Sequence, residues 1–541
     1  MHFSRNLHTM SQSCKHIPFS STHVFSKLIN DYLEGKGTAL DFVQYAPNLE
    51  GYRAAIEGRK KHPMNRSLLF DVLTKQYANL PQENLVNNQI ALLKNDNTFV
   101  VTTAHQPNLF TGPLYFFYKI IHAIQLAASL KTAFPEYNFV PVYYMGSEDA
   151  DLEEVGSFNL DLKNYQWATK QTGAIGRMQV DDNLLKLLQQ LESYWTILPQ
   201  GQKALEILKV AYQKGKTISE ATLSFVHAFF GSKGLLVLQP DDAALKAAFI
   251  PVMEKEILTG FSHKAIQPTI TALSKEYHVQ SEGRAINLFY LKDDLRARIE
   301  KQGEQYFVVD TAIQFTEAEI IAELHQYPER FSPNVILRGV FQETILPGVV
   351  FVGGGGELAY WMELKNVFQA VGVHYPLLQL RNSFLLMSHK QAEQWSAMQF
   401  EEQDLFKPIL ELEIEYVKKH TDTTLDLQDQ LNQLSSLYSS IKNHAVQVDA
   451  TLGAHTENLA HQAKSKLVAL EKKMLRAERR KQTVAIQRIH RIKKALFPQN
   501  NLQEREEHFS TWVGHYDLSW IETIMEHSKG LESRFSIIQF D

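Results

Sequence analysis

Short apolar runs that alternate with helical patterns constrain the fold of this chain most strongly. Each run is bounded by Gly, Pro or Asn and is followed by a stretch with helical spacing. Strands that are buried on both faces show such near-continuous apolar runs, because the intervening helices cover the sheet. The pattern therefore predicts an α/β protein with a doubly wound parallel sheet. The predicted strands lie in TFVVTTA, NFVPVYYM, GLLVLQP, AINLFYL, NVILRGV, GVVFVGG and VHYPLLQL.

Length and composition limit the number of domains and the class of partner. A chain of 541 residues exceeds the size of one hydrophobic core, so we expect two or three domains. The net charge of −5 offers no general attraction for nucleic acid, and no apolar run approaches the roughly 18 residues that span a bilayer. The single cysteine, Cys14, precludes an internal disulfide or a thiolate metal site. We expect a cytoplasmic protein with no nucleic-acid or membrane partner.

Two regions outside the predicted sheet have helical patterns. Residues 1–90 are predicted to form a helical lead-in, and from residue 423 the apolar residues follow a heptad, which predicts a coiled coil. After an interruption at DATLGAHTEN a second helix runs to Pro498, so we expect an antiparallel helix pair that joins two subunits in a homodimer. The first seam consists of Leu427, Leu431, Leu434, Tyr438, Ile441, Ala445, Val448 and Leu452. The predicted domains are 1–90, 91–422 (the core with its insertions), 423–498 (the coiled coil) and 499–541 (a segment that packs back on the core).

The stretch TTAHQPNLFTGPLYFFYK, which begins at Thr102, joins a predicted strand to a predicted helix. His105 and Gln106 follow the strand, and Thr111 precedes the helix. A helix N-terminus offers free N–H groups and a positive dipole end to a phosphate or carboxylate, and a histidine adds a titratable donor. The alternative is a histidine that only caps the turn, and the spacing favours neither interpretation.

Five carboxylates follow the next predicted strand, in MGSEDADLEEV. Together they could hold an ammonium group, bind Mg²⁺ or provide a general base. In the alternative interpretation this is a solvated turn, in which Glu153 and Glu154 favour the start of a helix. The five are Glu148, Asp149, Asp151, Glu153 and Glu154.

A run of four glycines, Gly353 to Gly356, lies between a predicted strand and a predicted helix. Glycines there allow the backbone to approach a ligand closely or to form an anion-binding nest. No Gly-Lys-Ser/Thr follows, so the run is not a P-loop, and a tight turn is the alternative. Glu357, Tyr360 and Trp361 on the following turns favour a pocket, although an aromatic stripe is more often part of a core.

The second long helix has a basic face, in LRAERRKQTVAIQRIHRIKK. Such a charge density usually solvates a coiled coil, and binding of phosphate is the alternative. Nucleic acid is a weaker alternative, because the whole chain is acidic and no aromatic residues are interleaved with the charges.

These segments together resemble the family of bacillithiol biosynthesis cysteine-adding enzymes, also called the cysteine ligase family. The resemblance extends over most of the chain. It implies a Rossmann-like core similar to class I aminoacyl-tRNA synthetases and related nucleotidyl transferases, with two insertions and a coiled coil used for dimerisation. The segments that carry it are TTAHQPNLFTGPLYFFYK, FVPVYYMGSEDADLEEV, GLLVLQPDD, INLFYL, SPNVILRGVFQETILPGVVFVGGGGELAYWMELK, LRAERRKQ and LFPQNNLQER.

The resemblance implies a ligase that adds L-cysteine to glucosaminyl malate, the last step in forming bacillithiol. Amide formation near neutral pH requires an activated carboxyl group, so we expect ATP, with or without Mg²⁺, and ADP or AMP as product. Ala150 stands where many relatives have a histidine, and we expect His105 to supply an imidazole instead. The alternatives are another nucleotidyl transferase or amide ligase on the same core, and a non-catalytic coiled-coil binding protein.

The candidate site residues follow from the resemblance and from side-chain chemistry, and no metal ligand is among them. The expected catalytic residues are His105, Glu148, Asp149 and Asp151. The expected substrate-binding residues are Gln106, Asn108, Thr111, Lys119, Arg338, Gln342, Glu357, Tyr360 and Trp361. The expected nucleotide-binding residues are Gly353, Gly354, Gly355, Gly356, Arg491, Lys494, Asn500, Asn501 and Arg505. The last five are expected to line a nucleotide pocket near the coiled coil, and the core cleft is the alternative place for the nucleotide.

Overall fold

A computed structural model describes residues 13–160, 163–422 and 424–540. Contacts between residues divide the chain into two compact units. The core unit comprises His16–Leu385 and Gln503–Ser536, and the coiled-coil unit comprises Leu386–Leu502 with short segments from both ends of the chain. Among the described residues, no helix combines the length and the apolar character that crossing a membrane requires.

A five-stranded parallel sheet lies at the centre of the core unit and confirms the predicted fold class. Its strands, numbered along the chain, are β1 (Thr98–His105), β2 (Asn138–Met145), β3 (Leu236–Leu238), β4 (Gly348–Gly353) and β5 (Leu377–Leu380). Their order across the sheet is β5-β4-β1-β2-β3, and every neighbouring pair is parallel. The carboxyl ends of all five strands therefore meet at one edge, where ligands bind in folds of this type.

Helices cover the sheet, which explains why its strands are apolar without alternation. The first six residues of β1 are all buried. Helix α1 (Tyr115–Ala133) packs on β1 and β2, and helix α2 (Gly355–Glu363) begins directly after β4. A hydrophobic cluster joins Tyr52 and Ile56 of a lead-in helix to residues of α1 and the strands. The other α-helices of the core unit are Lys27–Glu34, Leu49–Lys60, Arg66–Tyr77, Asn84–Leu92, Leu152–Val155, Asp182–Thr196, Gly201–Ala211, Ile218–Phe230, Ala243–Ala247, Ile250–Thr259, Phe261–Leu273, Glu317–Gln326, Val335–Ile345, Lys365–Val371, Gln503–Glu506, Phe509–Tyr516 and Ser519–His527.

Two insertions interrupt the alternation of strands and helices. Between β2 and β3 the chain forms an antiparallel hairpin of Ser157–Leu160 and Lys163–Gln166, followed by helices. Between β3 and β4 it forms a second, antiparallel five-stranded sheet. The strands of that sheet are Leu288–Lys292, Leu295–Gln302, Gln305–Val308, Gln314–Thr316 and Phe331–Pro333. The remaining strands are Cys14–Ile17, Ser383–Ser388 and Phe535–Phe540.

The coiled-coil unit contains a helical hairpin. Helix α3 (Gln428–Val448) is followed after three residues by helix α4 (Leu452–Lys481), which continues after a break at Gln482 into helix α5 (Thr483–Leu496). Lys442 of α3 forms an ion pair with Glu457 of α4, so the two helices run antiparallel, as predicted. The unit also contains the helices His389–Ala397 and Ile409–Lys419.

Three details of the predicted elements are wrong. NVILRGV forms a helix rather than a strand, because Asn334 caps the helix Val335–Ile345 through the N–H of Ile336, at 2.9 Å. AINLFYL supplies a strand of the antiparallel sheet rather than of the parallel one. The first coiled-coil helix ends at Val448, so Leu452 of the predicted seam begins the next helix, and the interruption is three residues long.

Candidate functional site

A cavity of about 210 Å³ opens at the carboxyl edge of the parallel sheet. We call it the core cavity. It receives residues from the ends of β1, β4 and β5, from the starts of α1 and α2, from the acidic motif after β2 and from the C-terminal segment. Its lining consists of His105, Gln106, Tyr115, Lys119, Glu154, Gly354, Gly355, Gly356, Glu357, Arg381 and Arg505.

His105 ends β1 and presents a neutral imidazole. Its ring lies against the rings of Tyr115 and Phe116, with centroid distances of 5.2 and 5.6 Å. Burial, together with the charges of Lys119 and Arg381, holds the pKa of His105 well below its usual value. Its Nε2 atom has no hydrogen-bond partner among the described residues. A neutral, unpartnered ring nitrogen suits a general base or a hydrogen-bond partner for a ligand.

Lys119 supplies a buried cation from the first turns of α1. Its Nζ donates to the carbonyl oxygen of Ala104 at 2.9 Å and contacts Oε2 of Glu357 at 2.6 Å. Burial lowers the pKa of Lys119, and the neighbouring Glu357 opposes that shift. The same Glu357 oxygen accepts from the backbone N–H of Gly354 at 2.8 Å, so this carboxylate links the ammonium group to the start of α2.

Arg381 directly follows β5 and is 3% exposed. Its Nη1 and Nη2 atoms donate to the two carboxylate oxygens of Glu504 at 2.9 and 2.6 Å. The remaining donor, Nε, has no hydrogen-bond partner among the described residues, although Arg381 lines the core cavity. The guanidinium also lies 5.5 Å from the centroid of the Tyr115 ring. Glu504 therefore fixes the arginine and leaves one buried donor for a ligand.

The glycine run forms the passage from β4 into α2. None of the four glycines has a positive φ, so the predicted nest, which needs a left-handed residue, does not form there. A side chain on Gly353 would lie 2.7 Å from Cδ1 of Leu358, and space is open beside Gly356. The first N–H groups of a helix have no intrahelical partner, and Gly355 and Gly356, the first two residues of α2, line the cavity.

The acidic motif separates into side chains with different partners. Glu148 pairs with the buried Lys246, and Asp149 accepts from Nη2 of Arg338 at 2.7 Å. Asp151 accepts from the backbone N–H of Glu154 at 3.2 Å and caps a short helix. Glu154 is the member of the motif that lines the core cavity.

Asp149 also lies near a second arginine, Arg296, whose Nη2 is 3.5 Å from Oδ1 of Asp149. Of the four expected catalytic residues, Glu148 and Asp149 form ion pairs and Asp151 caps a helix. His105 is the one of these four that lines the core cavity.

The other expected substrate-binding residues fall into two groups. Gln106, Lys119 and Glu357 line the core cavity. Asn108, Thr111, Arg338, Gln342, Tyr360 and Trp361 do not.

Several residues of the second group have internal partners. Gln342 is buried and donates to Glu343 at 2.9 Å, and Trp361 stacks on Phe351 with a centroid distance of 4.2 Å, so both belong to the core. Tyr360 is enclosed near Glu357 and Arg338, and burial raises its pKa. Asn108 and Thr111 are buried in the turn before α1.

The expected nucleotide-binding residues are divided between the two units. Arg505 lines the core cavity, as do Gly354, Gly355 and Gly356, and Gly353 lies next to them at the end of β4. Arg491 and Lys494 are exposed on α5 of the coiled-coil unit, to which Asn500 and Asn501 also belong. The described lining of the core cavity includes none of these four residues.

Sequence reasoning missed Arg381 and Tyr115 and did not select Glu154. Arg381 is the first polar residue after the predicted strand VHYPLLQL, the same position relative to a strand as His105. That position was the available signal. No cluster of three or more potential metal ligands occurs among the described residues.

The fold and the cavity define a Rossmann-like α/β protein with a small polar site at the carboxyl ends of its strands. Residues 12–382 match the family described as "Bacillithiol biosynthesis BshC, N-terminal Rossmann-like domain", and residues 384–540 match its "C-terminal coiled-coil domain". The chain belongs to this BshC family.

Similar proteins are named "Putative cysteine ligase BshC". The protein of Flavobacterium johnsoniae is 38% identical over 96% of this chain and 99% of its own length. That of Christiangramia forsetii is 38% identical over 97% of this chain and 98% of its own. The protein of Bacillus cereus is 23% identical over 95% of this chain and 98% of its own. The names of these relatives confirm the predicted family and the prediction of a ligase.

Proposed function

We propose that the protein adds L-cysteine to glucosaminyl malate in an ATP-dependent reaction that yields bacillithiol. The observation that carries the proposal is the similarity to proteins named cysteine ligase along nearly the whole chain, core and coiled coil together. The core cavity lies where ligands bind in such folds, and it combines cationic groups with an unpartnered imidazole. We also propose cytoplasmic residence, where thiols stay reduced.

The proposed reaction requires three tasks of the site. The carboxyl group of cysteine is first activated by ATP, as an adenylate or an acyl phosphate. The amine of glucosaminyl malate then attacks the carbonyl carbon, a C–N bond forms, and AMP or phosphate leaves with the former carboxyl oxygen. The attacking amine loses a proton, which needs an acceptor near the reacting carbon.

The residues of the core cavity can perform these tasks. Lys119, Arg381 and the first residues of α2 line the cavity, where their N–H groups would stabilise negative charge on a carboxylate, a phosphate or the tetrahedral intermediate. The neutral His105 accepts the proton of the amine at Nε2. The site needs no thiol of its own, because the thiol arrives with the cysteine.

Product analysis tests the proposal. The protein is incubated with glucosaminyl malate, L-cysteine and Mg-ATP, and bacillithiol, AMP and ADP are measured by mass spectrometry, with each substrate omitted in turn. We expect bacillithiol only in the complete mixture, with one nucleotide product per bacillithiol. Nucleotide turnover with cysteine but without bacillithiol would indicate another amide ligase. No nucleotide binding or turnover would indicate a binding protein.

We further propose a homodimer formed through the coiled coil. The hairpin leaves several large apolar side chains of α3 and α4 exposed, and burial of such surface against a second subunit is favourable. Leu437 is 56% exposed, Ile441 42% and Leu470 47%. A second subunit would cover these side chains.

A further inference from the structure

We infer that the core cavity is a subsite for a zwitterionic amino acid, with Glu154 holding its ammonium group and the Arg381 end of the cavity holding its carboxylate. The identity of that amino acid as cysteine rests on the proposed function. The charges that line the cavity are independent of the proposed function.

One end of the cavity is built for a carboxylate. Nε of Arg381 is an unpartnered donor on a side chain that is 97% removed from solvent, since only 3% of the residue is exposed. Nη1 donates to Glu504, to the carbonyl oxygen of Asn382 and to Ser383, and Nη2 donates to Glu504, so the guanidinium group cannot turn without breaking the ion pair. Gly355 and Gly356, which begin α2, and Arg505 line the same cavity. An anion there gains charge-assisted hydrogen bonds.

Glu154 supplies the complementary charge. It lines the cavity, and among the described residues it forms no ion pair. Burial raises the pKa of Glu154, and the charges of Asp151 and Asp149 raise it further, so the local potential favours a cation. The neighbouring Glu153 has the same side chain but does not line the cavity.

The size of the cavity selects among ligands with both charges. Sites for drug-sized ligands enclose about 300 to 1,000 Å³. The core cavity has a volume of about 210 Å³, which suits a ligand of a few heavy atoms such as an amino acid. The proposed ligand therefore carries one carboxylate for Arg381 and one ammonium group for Glu154, a few bonds apart.

The test measures binding by calorimetry with the full-length protein and no ATP or glucosaminyl malate present. The probes are L-cysteine, 3-mercaptopropionate, which lacks the ammonium group, and cysteamine, which lacks the carboxylate. We expect L-cysteine to bind at least about tenfold more tightly than either analogue, because each lost charge-assisted contact costs roughly 1.5 to 3 kcal/mol.

Two variants with matched controls assign the ends. Glu154→Gln should weaken the binding of L-cysteine about tenfold and leave the binding of 3-mercaptopropionate unchanged. The control Glu153→Gln, one residue away, should leave the binding of both ligands unchanged. Arg505→Gln should weaken the binding of both L-cysteine and 3-mercaptopropionate. Arg491→Gln, which changes an exposed arginine of the coiled-coil unit, should weaken the binding of neither.

The inference is wrong if L-cysteine does not bind at millimolar concentration, if the analogues bind as tightly, or if Glu154→Gln and Glu153→Gln behave alike. The proposed function fails separately. If the protein binds L-cysteine as described but forms no bacillithiol, the amino-acid subsite stands and the proposed reaction is wrong. If the protein forms bacillithiol but the Glu154→Gln variant binds L-cysteine normally, the proposed reaction stands and the proposed amino-acid subsite is wrong.

Discussion

Replacing Glu504 by glutamine perturbs the ion pair that fixes Arg381 behind the core cavity. The side chains are 4% and 1% exposed for Arg381 and Glu504, so the pair is buried. Breaking a buried pair at one partner typically costs about 3 to 5 kcal/mol. Glutamine retains one oxygen for one Nη atom but turns its NH₂ group toward the other donor. We therefore expect Glu504→Gln to lower the free energy of unfolding by about 3 kcal/mol.

Glu507, three residues further along, provides a matched control for the same chemical change. Burial raises its pKa from 4.5 to about 7, and its carboxyl group accepts from Nε1 of Trp512 at 2.8 Å. The folded state therefore binds a proton more tightly than the unfolded state. The stabilising contribution of Glu507 is fully present below about pH 4.5 and is lost as the pH rises through about 7.

The two variants should therefore change the free energy of unfolding in opposite directions above pH 7. At about 1.4 kcal/mol per pH unit the shift of Glu507 corresponds to at most roughly 3.4 kcal/mol, and its partial exposure reduces this to about 2 kcal/mol. Glu507→Gln should match the wild type at low pH and exceed its stability by about 2 kcal/mol well above pH 7. Glu504→Gln should be less stable throughout.

Urea denaturation followed by circular dichroism, at about pH 5, 7 and 9, measures both effects. The ion pair does not stabilise the fold as described if Glu504→Gln unfolds at the same urea concentration as the wild type at every pH. The same conclusion follows if Glu504→Gln and Glu507→Gln shift in the same direction above pH 7, because then the partner Arg381 would make no difference.

Two further predictions concern catalysis and assembly. His105→Asn should abolish bacillithiol formation without changing the melting temperature, and normal turnover in the variant would remove His105 from the site. The pH–rate profile of the wild type should show no inflection near 6.5, because the pKa of His105 lies well below that value. Leu437→Asp combined with Ile441→Asp should yield monomers in sedimentation, whereas an intact dimer would place the subunit contact elsewhere; these side chains suit the test because, unlike Leu431, they are exposed.

The parallel sheet could be predicted from the sequence because strands buried on both faces leave continuous apolar runs. The same signal failed at NVILRGV, since a short apolar run does not distinguish a strand from a buried helix. There the cap at Asn334 decides the structure. The end of α3 was placed too late because the heptad continues through a turn of three residues and does not mark it.

The candidate site could be predicted only in part. Polar residues after strands indicated the correct edge of the sheet, and His105, Lys119 and the glycines lie there. The roles of individual carboxylates depend on distant partners: Asp149 pairs with Arg338, which lies 189 residues away in the chain. Arg381 and Glu504 are separated by 123 residues, and no local pattern connects them. Such pairings arise from the tertiary fold.

The central claim is that this protein activates the carboxyl group of cysteine and transfers it to the amine of glucosaminyl malate. The most direct measurement uses L-cysteine labelled with heavy oxygen in its carboxyl group, together with ATP and glucosaminyl malate, and follows the label by mass spectrometry. We predict that bacillithiol retains one labelled oxygen and that the other appears in AMP or in inorganic phosphate, in equal amount. Absence of bacillithiol, or bacillithiol formed with no label in any phosphate-containing product, would contradict the account.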